Sequence, residues 1–341
     1  MTIRRPRLRD ISEKAGVSKA TVDRVVNNRG GVQNHTRQHV LSVMAELTGD
    51  GPAGDTHAAA SLCLDFVVPD TGNAFMTQLI ADVQAQVRRR AGIDVRVHRL
   101  DGIGEDGVVA TLDRLAGDSR AVGLIALDHP NVRAAVRSLS SGGVPVATIA
   151  SDIRNVPRAA YVGVDNRAAG RLAGYLTGRL AARRNGKAAL ILGARAYHGH
   201  EEREMGFRSV LRERFSDFRI VAEREIHEDT DTAYVETRAL LERHDDIDAI
   251  YCIGAGQPGV ARALIDCGRA SSVVFVGHGL SDDTRGCLID GVMDVVIDED
   301  TSLMATTAID CLAAAARREP FAPIPSIRVQ AIFSENLPAE Q

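Results

Sequence analysis

Residues 62–87 read LCLDFVVPDTGNAFMTQLIADVQAQV and contain the two kinds of pattern that decide the fold. The run at 62–68 predicts a buried β-strand, because it is short, apolar and rich in β-branched and aromatic residues. Apolar residues at positions 75, 79, 80, 83 and 87 then follow the spacing of one helix face. The stretch is therefore predicted to form a strand followed by an amphipathic helix.

The same alternation of strand and helix continues to the end of the chain. Up to residue 149, further strands are predicted at 93–97, 122–127 and 144–149, with helices at 108–115 and 132–139. The pattern restarts at Tyr161, with strands at 161–164, 188–192, 220–226, 249–253 and 273–276 and helices at 166–183, 201–214, 232–244 and 258–266. A helix at 301–317 and a strand at 327–333 complete the pattern. We predict two α/β lobes, each a doubly wound parallel sheet with helices on both faces.

Length and composition agree with a globular protein of more than one domain. The chain has 341 residues, of which 45% are hydrophobic and 25% charged, a balance that excludes a disordered or collagen-like chain. No run approaches the roughly 20 apolar residues that cross a bilayer, and the basic start is not followed by the apolar core of a signal peptide. Five cysteines without a CxxC pair suggest neither a disulfide framework nor a zinc site. We therefore expect a cytoplasmic protein without a membrane partner.

Charge is distributed unevenly along the chain. The net charge is -4, yet residues 1–50 hold nine Lys and Arg against five acids, so the remaining 291 residues carry -8. Such asymmetry is typical of an anion-binding module attached to an acidic body. Residues 1–50 also show the apolar periodicity of short helices, which a merely basic tail would lack.

The spacing within this basic module predicts a helix-turn-helix. Gly16 can adopt the positive φ of a tight turn, and Ser18 can cap a helix over 19–27. Three valines are expected to face inward, namely Val22, Val25 and Val26. Four residues are expected to face outward, where they can reach a DNA major groove: Lys19, Ala20, Asp23 and Arg24. A third helix is expected to begin at Asn34 or Thr36, with Arg37 and His39 facing solvent.

Residues 8–27, LRDISEKAGVSKATVDRVVN, closely resemble the headpiece of LacI-family transcriptional regulators. The resemblance implies that Lys19, Ala20 and Arg24 face bases, and that three further residues contact phosphates: Ser18, Thr21 and Asn27. The chemistry agrees, since Lys and Arg can donate to guanine whereas Ser, Thr and Asn donors fix register on the backbone. Asp23 departs from the family pattern; it would repel phosphate, accept from cytosine or orient Arg24 or Lys19, and we favour the last.

The connector that follows is rich in glycine. Residues 48–57 read TGDGPAGDTH, which is typical of a flexible linker, and lack the hinge-helix pattern by which many family members insert leucines into the minor groove. We predict a headpiece at 1–48, a linker at 49–60 and a two-lobed effector domain at 61–334. Its first lobe is expected to span about 61–160 and 300–322, and its second about 161–299 and 324–334.

The two-lobed body resembles the type I periplasmic sugar-binding proteins, which also supply the effector domain of LacI regulators. The resemblance is strongest at residues 161–170, 199–207 and 335–337. Asp165 or Asn166 is expected to cap a helix. The implied fold is a small all-α headpiece followed by two doubly wound α/β lobes of the periplasmic binding protein type I.

Ligands in open α/β sheets bind beyond the carboxyl ends of the strands, so the loops there hold the candidate effector residues. By resemblance, Asn73 donates to a hydroxyl and Phe75 stacks on a sugar ring; a helix-capping Asn and a core Phe are the alternative. By the same resemblance, Arg203 is expected to lie across the cleft, where its planar guanidinium group could bind vicinal hydroxyls or a carboxylate of the ligand. A surface ion pair with Glu201 or Glu204 is its alternative.

Five further residues complete the candidate effector site. Ser151 and Asp152 stand where relatives carry an Asp-Arg pair, and Glu299 stands where an amide is common. Gln257 and His278 follow strands of the second lobe.

Three other motifs have alternative interpretations. Gly254, Gly256 and Gly259 fit a dinucleotide-binding fingerprint, but no acid follows the next strand to hold a ribose, so we interpret them as a cleft-lining loop. Residues 198–202, HGHEE, could ligate a metal; a solvated helix start is favoured, because they lack the H-E-x-x-H spacing. Residues 298–300, DED, could serve acid–base chemistry, and a helix cap explains them more simply.

The function predicted is an effector-controlled DNA-binding regulator, most often a repressor, that acts as a homodimer on double-stranded operator DNA. A sugar, polyol or sugar acid is the expected effector, and no catalytic residue, cofactor or metal is expected. A solute-binding receptor is one alternative, but it would need a signal peptide in place of the headpiece. An NAD-dependent enzyme is another, but it would need the missing ribose-binding acid.

Overall fold

A computed structural model of the chain describes residues 8–27, 32, 36, 37, 39, 40, 43 and 61–339. The described residues divide into two compact units, one before and one after Ala60. The predicted linker at 49–60 lies outside the described residues.

The first unit begins with the predicted helix-turn-helix. Helix α1 spans Leu8–Ala15 and α2 spans Lys19–Val26. Gly16 makes the turn at φ 63°, which confirms its predicted conformation. Ser18 caps α2, and its hydroxyl accepts a hydrogen bond from the Thr21 backbone N–H at 3.2 Å.

Six small apolar side chains form the core of this unit: Ile11, Ala15, Val22, Val25, Val40 and Val43. Val26 was expected to face inward, but it is 43% exposed, so that expectation is wrong. Val40 and Val43 belong to the predicted third helix, whose remaining described residues are Thr36, Arg37 and His39. Its alternative start at Asn34 lies outside the described residues.

The first lobe of the second unit is a five-stranded parallel sheet in the order β2-β1-β3-β4-β5. Its strands are β1 (Leu62–Asp70), β2 (Ile93–Asp101), β3 (Val122–Leu124), β4 (Val146–Ile149) and β5 (Ala160–Val162). Its helices are α3 (Ala74–Val87), α4 (Glu105–Leu115) and α5 (Pro130–Ser141).

Strand β5 corrects the predicted boundary between the lobes. The sequence pattern placed this strand at the start of the second lobe, but Ala147 pairs with Ala160 and Ile149 with Val162, so it extends the first sheet. The chain crosses to the second lobe only after β5. Strand pairing is a non-local property, so the local pattern of 161–164 could not assign this strand to a sheet.

The second lobe is a six-stranded sheet in the order β11-β10-β9-β8-β6-β7. Its strands are β6 (Lys187–Leu192), β7 (Arg219–Glu225), β8 (Ala249–Ile253), β9 (Val274–His278), β10 (Val295–Glu299) and β11 (Val329–Ile332). Its helices are α6 (Asn166–Leu180), α7 (His198–Arg214), α8 (Thr230–Arg243), α9 (Gln257–Asp266) and α10 (Asp282–Ile289).

Three features of this lobe differ from the prediction. Strand β10 (Val295–Glu299) was not among the predicted strands. Strand β11 runs antiparallel to β10, so the sheet is mixed at one edge. Helix α10 was not predicted, because it buries only Thr284 and Leu288, too few residues to show a periodic apolar face.

The last long helix, α11 (Thr301–Arg317), returns to the first lobe, as predicted. Its buried face packs against the first sheet and α3, where Ala308, Ile309 and Leu312 join the cluster of Leu64 and Leu79. Asp300 caps the helix by accepting from the Leu303 backbone N–H at 2.8 Å, which confirms the capping interpretation of residues 298–300.

The parallel strands of the two lobes follow one arrangement. In each sheet, the strand that comes first in the chain lies between the second and the third: β1 lies between β2 and β3, and β6 lies between β7 and β8. The connections therefore run toward opposite edges of the sheet on the two sides of β1 and of β6. Ligands bind beyond the carboxyl ends of the strands at such a switch point.

Within the described residues, no helix is long and apolar enough to cross a membrane.

Candidate DNA-reading helix and effector cavity

The outward side of α2 carries the predicted base-reading residues. Lys19, Ala20 and Arg24 are all exposed. Ser18 and Thr21 lie at the start of the helix, where their hydroxyls are 2.9 Å apart. This short helix therefore presents two cations and two hydroxyls to solvent along its first two turns.

Asp23 and Asn27 pair with each other on the same helix. The Asn27 amide donates to the Asp23 carboxylate at 2.7 Å and to the Asp23 carbonyl oxygen at 3.0 Å. The predicted phosphate contact of Asn27 therefore competes with a bond inside the helix. An orienting contact of Asp23 with Arg24 or Lys19 stays a prediction.

A cavity lies between the two lobes, at the carboxyl ends of strands from both sheets. The first lobe lines it with Pro69 near the end of β1, residues 71–76 after that strand, Ile125 after β3, and Ala150 and Ser151 after β4. The second lobe contributes α6, the segments that follow β6, β7, β8 and β9, and the last residue of β10. The loops identified from the sequence as candidate ligand positions thus converge on one space.

Seven of the eight candidate effector residues line this cavity: Asn73, Phe75, Ser151, Arg203, Gln257, His278 and Glu299. Asp152 does not belong to the lining. Its carboxylate instead accepts from Thr148 Oγ1 at 2.7 Å, from the Ile153 backbone at 2.9 Å and from Arg158 at 2.7 Å. Asp152 therefore holds the loop after β4, and we omit it from the proposed contact set.

Arg203 and Glu299 form an ion pair on the floor of the cavity. Arg203 Nε donates to Asn166 Oδ1 at 2.7 Å, and its guanidinium also binds the Glu299 carboxylate. Both side chains are more than nine-tenths buried. The sequence alternatives for Arg203 were Glu201 and Glu204 on its own helix. The structure corrects both, since its partner Glu299 is the last residue of the distant strand β10.

Close contact between two helices fixes the position of Arg203. A Cβ at Gly170 of α6 would overlap the Arg203 carbonyl oxygen, and a Cβ at Gly206 of α7 would overlap the Arg167 carbonyl oxygen. The two backbones can approach this closely only because both residues are glycine. Asp165 caps α6 by accepting from the Ala168 backbone at 2.8 Å, which confirms the predicted cap.

Asn73 links the lobes across the cavity. Its Oδ1 accepts from the Phe75 backbone N–H at 2.9 Å and caps α3, while its Nδ2 donates to Glu228 Oε2 of the second lobe at 3.1 Å. A second bond between the lobes runs from the Gly199 backbone N–H to Ser151 Oγ at 3.1 Å. These bonds hold the two lobes together at the cavity.

The other predicted residues have mixed roles. Phe75 is half-buried, lines the cavity and also packs against the first-lobe core. Gln257 Nε2 donates to the carbonyl oxygens of Gly254 at 2.6 Å and His278 at 2.8 Å, so it ties together the loops after β8 and β9. Its amide therefore shapes the cavity wall.

The lining also includes residues that the sequence analysis did not assign to the site, four of which are Asn166, Tyr197, His200 and Glu228. Glu228 lies just beyond β7, so the rule that ligands bind after strands would have identified it had that loop been considered. His200 was interpreted as part of a solvated helix start, which is wrong because its ring is 13% exposed and lines the cavity.

Burial keeps both cavity histidines uncharged at neutral pH. Desolvation, with a smaller contribution from Arg203, lowers the pKa of His200 to about 3. The same causes lower the pKa of His278 well below its usual value. His278 Nε2 lies 2.7 Å from Tyr251 Oη. The histidines therefore offer neutral hydrogen-bonding groups to a ligand.

The three glycines of the G-x-G-x-x-G stretch allow close packing of neighbouring segments and leave room for the Glu228 carboxylate. A Cβ at Gly259 would overlap the Thr230 carbonyl oxygen, and one at Gly256 would overlap the side chain of Ile226. The Ala255 backbone N–H, which could face a phosphate, donates instead to Glu228 Oε2 at 3.0 Å. A carboxylate thus occupies the position that a dinucleotide phosphate would need.

The acids and histidines of residues 198–202 do not converge on one point. His198 contacts Glu201 at 3.2 Å and Glu202 at 3.5 Å, whereas His200 turns into the cavity. Across the described residues, no group of three or more His, Cys, Asp or Glu side chains could hold a metal ion.

Family comparisons match both units of the chain. Residues 7–48 match the lacI family of bacterial regulatory proteins, and residues 64–320 match the periplasmic binding protein domain. The ribose operon repressor of Halalkalibacterium halodurans is 26% identical over 84% of this chain and 80% of its own. The regulator DegA of Bacillus subtilis is 26% identical over 60% of each chain, so this match spans less than two thirds of DegA.

Solved structures share the two-lobed fold. GanP, a glucose-galactose binding protein from Geobacillus stearothermophilus, aligns with a TM-score of 0.76 at 22% identity, over 82% of this chain and 99% of its own. A solute-binding protein from Agrobacterium vitis with bound D-fucose aligns with a TM-score of 0.74 at 18% identity, over 80% of this chain and 96% of its own. With a helix-turn-helix joined to this two-lobed fold, the chain belongs to the lacI family of bacterial regulatory proteins.

Proposed function

We propose that this regulator is a repressor that binds operator DNA through α2 and is controlled by a sugar or polyol bound in the cavity between its lobes. The observation that carries the proposal is the presence, in one chain, of an exposed basic helix and a buried polar cavity. The cavity alone would not distinguish a regulator from a receptor, whereas the exposed basic helix favours the regulator. The ribose operon repressor among its relatives supports a carbohydrate effector.

The DNA contacts follow from the chemistry of α2. Lys19 and Arg24 can donate to guanine in the major groove, and Ala20 can contact a thymine methyl group. Ser18, Thr21 and Asn27 would donate to phosphates and so fix the position of the helix on the duplex. A helix of this length reads few base pairs, so a homodimer that binds a near-palindromic operator in the cytoplasm completes the proposal.

The effector contacts combine an aromatic face with buried polar groups. Phe75 would pack against the ring of a sugar, while Arg203, Glu299 and His278 would bind its hydroxyl groups. The bonds that Asn73 and Ser151 make across the cavity would strengthen or break as the lobes close on a ligand. No catalytic role is proposed, and Glu228 beside Ala255 disfavours the NAD-dependent alternative, because a carboxylate would repel the pyrophosphate.

An operator selection followed by ligand titration tests this function. The full chain would be used to select DNA sequences from a random pool, and the enriched site is expected to be a near-palindrome. Fluorescence anisotropy on that site, with and without each of a panel of pentoses, hexoses and polyols, is expected to show a change in affinity of roughly 5–150-fold for at least one compound.

Failure of either arm contradicts the proposal in a specific way. If no sequence is enriched, α2 does not read an operator. If every compound leaves operator affinity unchanged, the cavity does not control DNA binding through a sugar or polyol. Sedimentation of the free protein tests the homodimer separately.

A further inference from the structure

Negative groups outnumber positive ones in the cavity. Among the described residues that line it, Arg203 alone carries a permanent positive charge, whereas three carboxylates belong to the lining, those of Glu228, Asp283 and Glu299. Arg203 is already bound by Glu299 and Asn166. A ligand that enters therefore meets no unpaired cation there.

Three buried polar atoms of the lining have no hydrogen-bond partner within the described part of the chain: Glu228 Oε1, His278 Nδ1 and Glu299 Oε2. Each of these residues is 6% exposed. A buried polar atom without a partner costs about 1–3 kcal/mol, and more when it belongs to a charged group. The two carboxylate oxygens can accept hydrogen bonds and so favour a ligand that donates them.

The backbone holds the Glu228 carboxylate in this position. His227 and Glu228 both adopt positive φ, at 51° and 64°, a conformation that non-glycine residues rarely take. A Cβ at Gly193 or Gly254 would strike Glu228 Oε1, so both glycines make room for the carboxylate. Its Oε2 is fixed by Asn73 and Ala255, which leaves Oε1 as the free acceptor.

We propose that Glu228 and Glu299 restrict the effector to an uncharged or cationic polyhydroxyl compound, such as a neutral sugar, a polyol or an amino sugar, and exclude sugar acids and sugar phosphates. The inference rests on the proposed function and narrows its ligand class. An anionic group would enter beside two buried carboxylates, and the Arg203 cation is already paired with Glu299, whereas hydroxyl or ammonium groups would supply the missing donors.

The two cavity histidines support this restriction, whereas the titration of Glu228 opposes it in part. Burial raises the pKa of Glu228 and so disfavours its charged form, while bonds from Ala255 and Asn73 and the charge of Arg203 act against that rise. His200, whose Nδ1 lies 3.7 Å from Glu228 Oε1, and His278 have lowered pKa values and so stay neutral. Neither histidine supplies the positive charge that an anionic ligand would require.

The test uses matched compounds that differ in one charged group. The Tm of the full chain would be measured with galactose, galactosamine and galacturonate, with glucose, glucosamine and glucuronate, and with ribose, ribitol and ribose 5-phosphate. A neutral or amine-bearing member of at least one set is expected to raise Tm, while the matched acid or phosphate leaves it unchanged. Titration calorimetry is expected to show a preference of at least about 100-fold, or about 2.7 kcal/mol.

A charge-removing variant distinguishes charge exclusion from a simple steric fit. Glu228→Gln keeps the bonds to Ala255 and Asn73 through its carbonyl oxygen and is expected to reduce the preference about tenfold or more. Asp282→Asn removes one negative charge from an exposed residue outside the lining and is the matched control, with an unchanged preference expected.

The outcomes separate this inference from the proposed function. If an acid or phosphate binds as tightly as its neutral parent and shifts operator affinity, or if Glu228→Gln keeps the full preference, the charge restriction is wrong and the sugar-responsive function stands. If no compound changes either Tm or operator affinity, the sugar-responsive function fails and the restriction fails with it.

Discussion

Helix α2 and the cavity between the lobes present their functional groups in opposite ways. Lys19, Ala20 and Arg24 lie exposed within six residues of one short helix. The cavity instead collects buried groups from loops that extend from residue 69 to residue 299. The first surface depends on local sequence alone, whereas the second depends on the whole fold of the larger unit.

This difference determines what a substitution does. A change on α2 removes a side chain that water already solvates, so it alters DNA recognition and leaves folding almost unchanged. A change in the cavity removes one partner of a buried pair, so it alters stability together with ligand binding.

The largest effect is expected from breaking the buried ion pair. Arg203→Ala leaves Glu299 buried without its cation and is expected to lower the free energy of unfolding of the larger unit by about 3–5 kcal/mol. Urea denaturation followed by circular dichroism measures this loss. Arg212→Ala, an exposed arginine on the same helix, is the control and is expected to cost less than about 0.5 kcal/mol.

A double variant sharpens the interpretation of that loss. Arg203→Met combined with Glu299→Gln removes both charges and is expected to recover much of the stability lost in Arg203→Ala. Equal instability of the double variant would indicate that packing, and not the uncompensated charge, dominates at this position.

Acidification is expected to destabilise the larger unit as pH falls below 6.5. The pKa of His200 is about 3 in the folded chain, so the unfolded chain takes up a proton first. Stability is therefore complete above pH 6.5 and falls by up to about 1.4 kcal/mol per pH unit between 6.5 and 3 for this residue. His278, also buried with a lowered pKa, adds to the slope.

Denaturation at a series of pH values checks the contribution of His200. The His200 ring lies within hydrogen-bond distance of the Ala194 backbone, with 3.2 Å between its Nδ1 and the Ala194 nitrogen. His200→Asn can keep a bond to Ala194 and is expected to reduce the slope over this range. His129→Asn removes a histidine outside the cavity and is expected to keep the wild-type slope. An unchanged slope in His200→Asn would contradict the assignment.

The DNA-reading role of α2 predicts a change in specificity without a change in fold. Arg24→Ala is expected to relax base preference by about 1–3 kcal/mol at one operator position, because one donor to a base edge is lost. Thr21→Val removes a proposed phosphate donor and is expected to weaken all sequences alike. Selection from a random DNA pool measures both; a preference that survives in Arg24→Ala would remove it from the base-reading set.

The smallest effect is expected at the helix cap. Ser18→Ala removes the acceptor for the Thr21 N–H and is expected to destabilise the first unit by about 1 kcal/mol. Ser18→Asn retains a capping oxygen and is expected to keep most of this stability. Thermal melts followed by circular dichroism compare them; equal loss in both variants would mean that the cap does not stabilise α2.

Local features of this chain could be predicted from its sequence, whereas long-range pairings could not. The turn at Gly16 and the caps at Asp165 and Asp300 depend on neighbouring residues, and the structure confirms them. The partner of Arg203 is 96 residues away along the chain, and both sequence alternatives lay on its own helix.

The same reason explains the elements that prediction missed or misplaced. Strand β5 was assigned to the wrong lobe because its pairing with β4 depends on the fold of the whole sheet and cannot be deduced from the residues of β5 alone. Glu228, in contrast, was missed although it lies just beyond strand β7, where the position of loops after strands could have identified it. The pairing of Arg203 with Glu299 inside the cavity could be identified only from the folded structure, in which these distant residues lie together.

The return of α11 to the first lobe has a consequence for synthesis on the ribosome. The first sheet is complete at residue 162, but its core also needs Ala308, Ile309 and Leu312, which are translated only after strands β6 to β10 of the second lobe. At roughly 5–20 residues per second, the nascent chain would expose this apolar face for many seconds while the second lobe emerges. A chain cut short before residue 301 would therefore leave the first lobe permanently open and prone to aggregate.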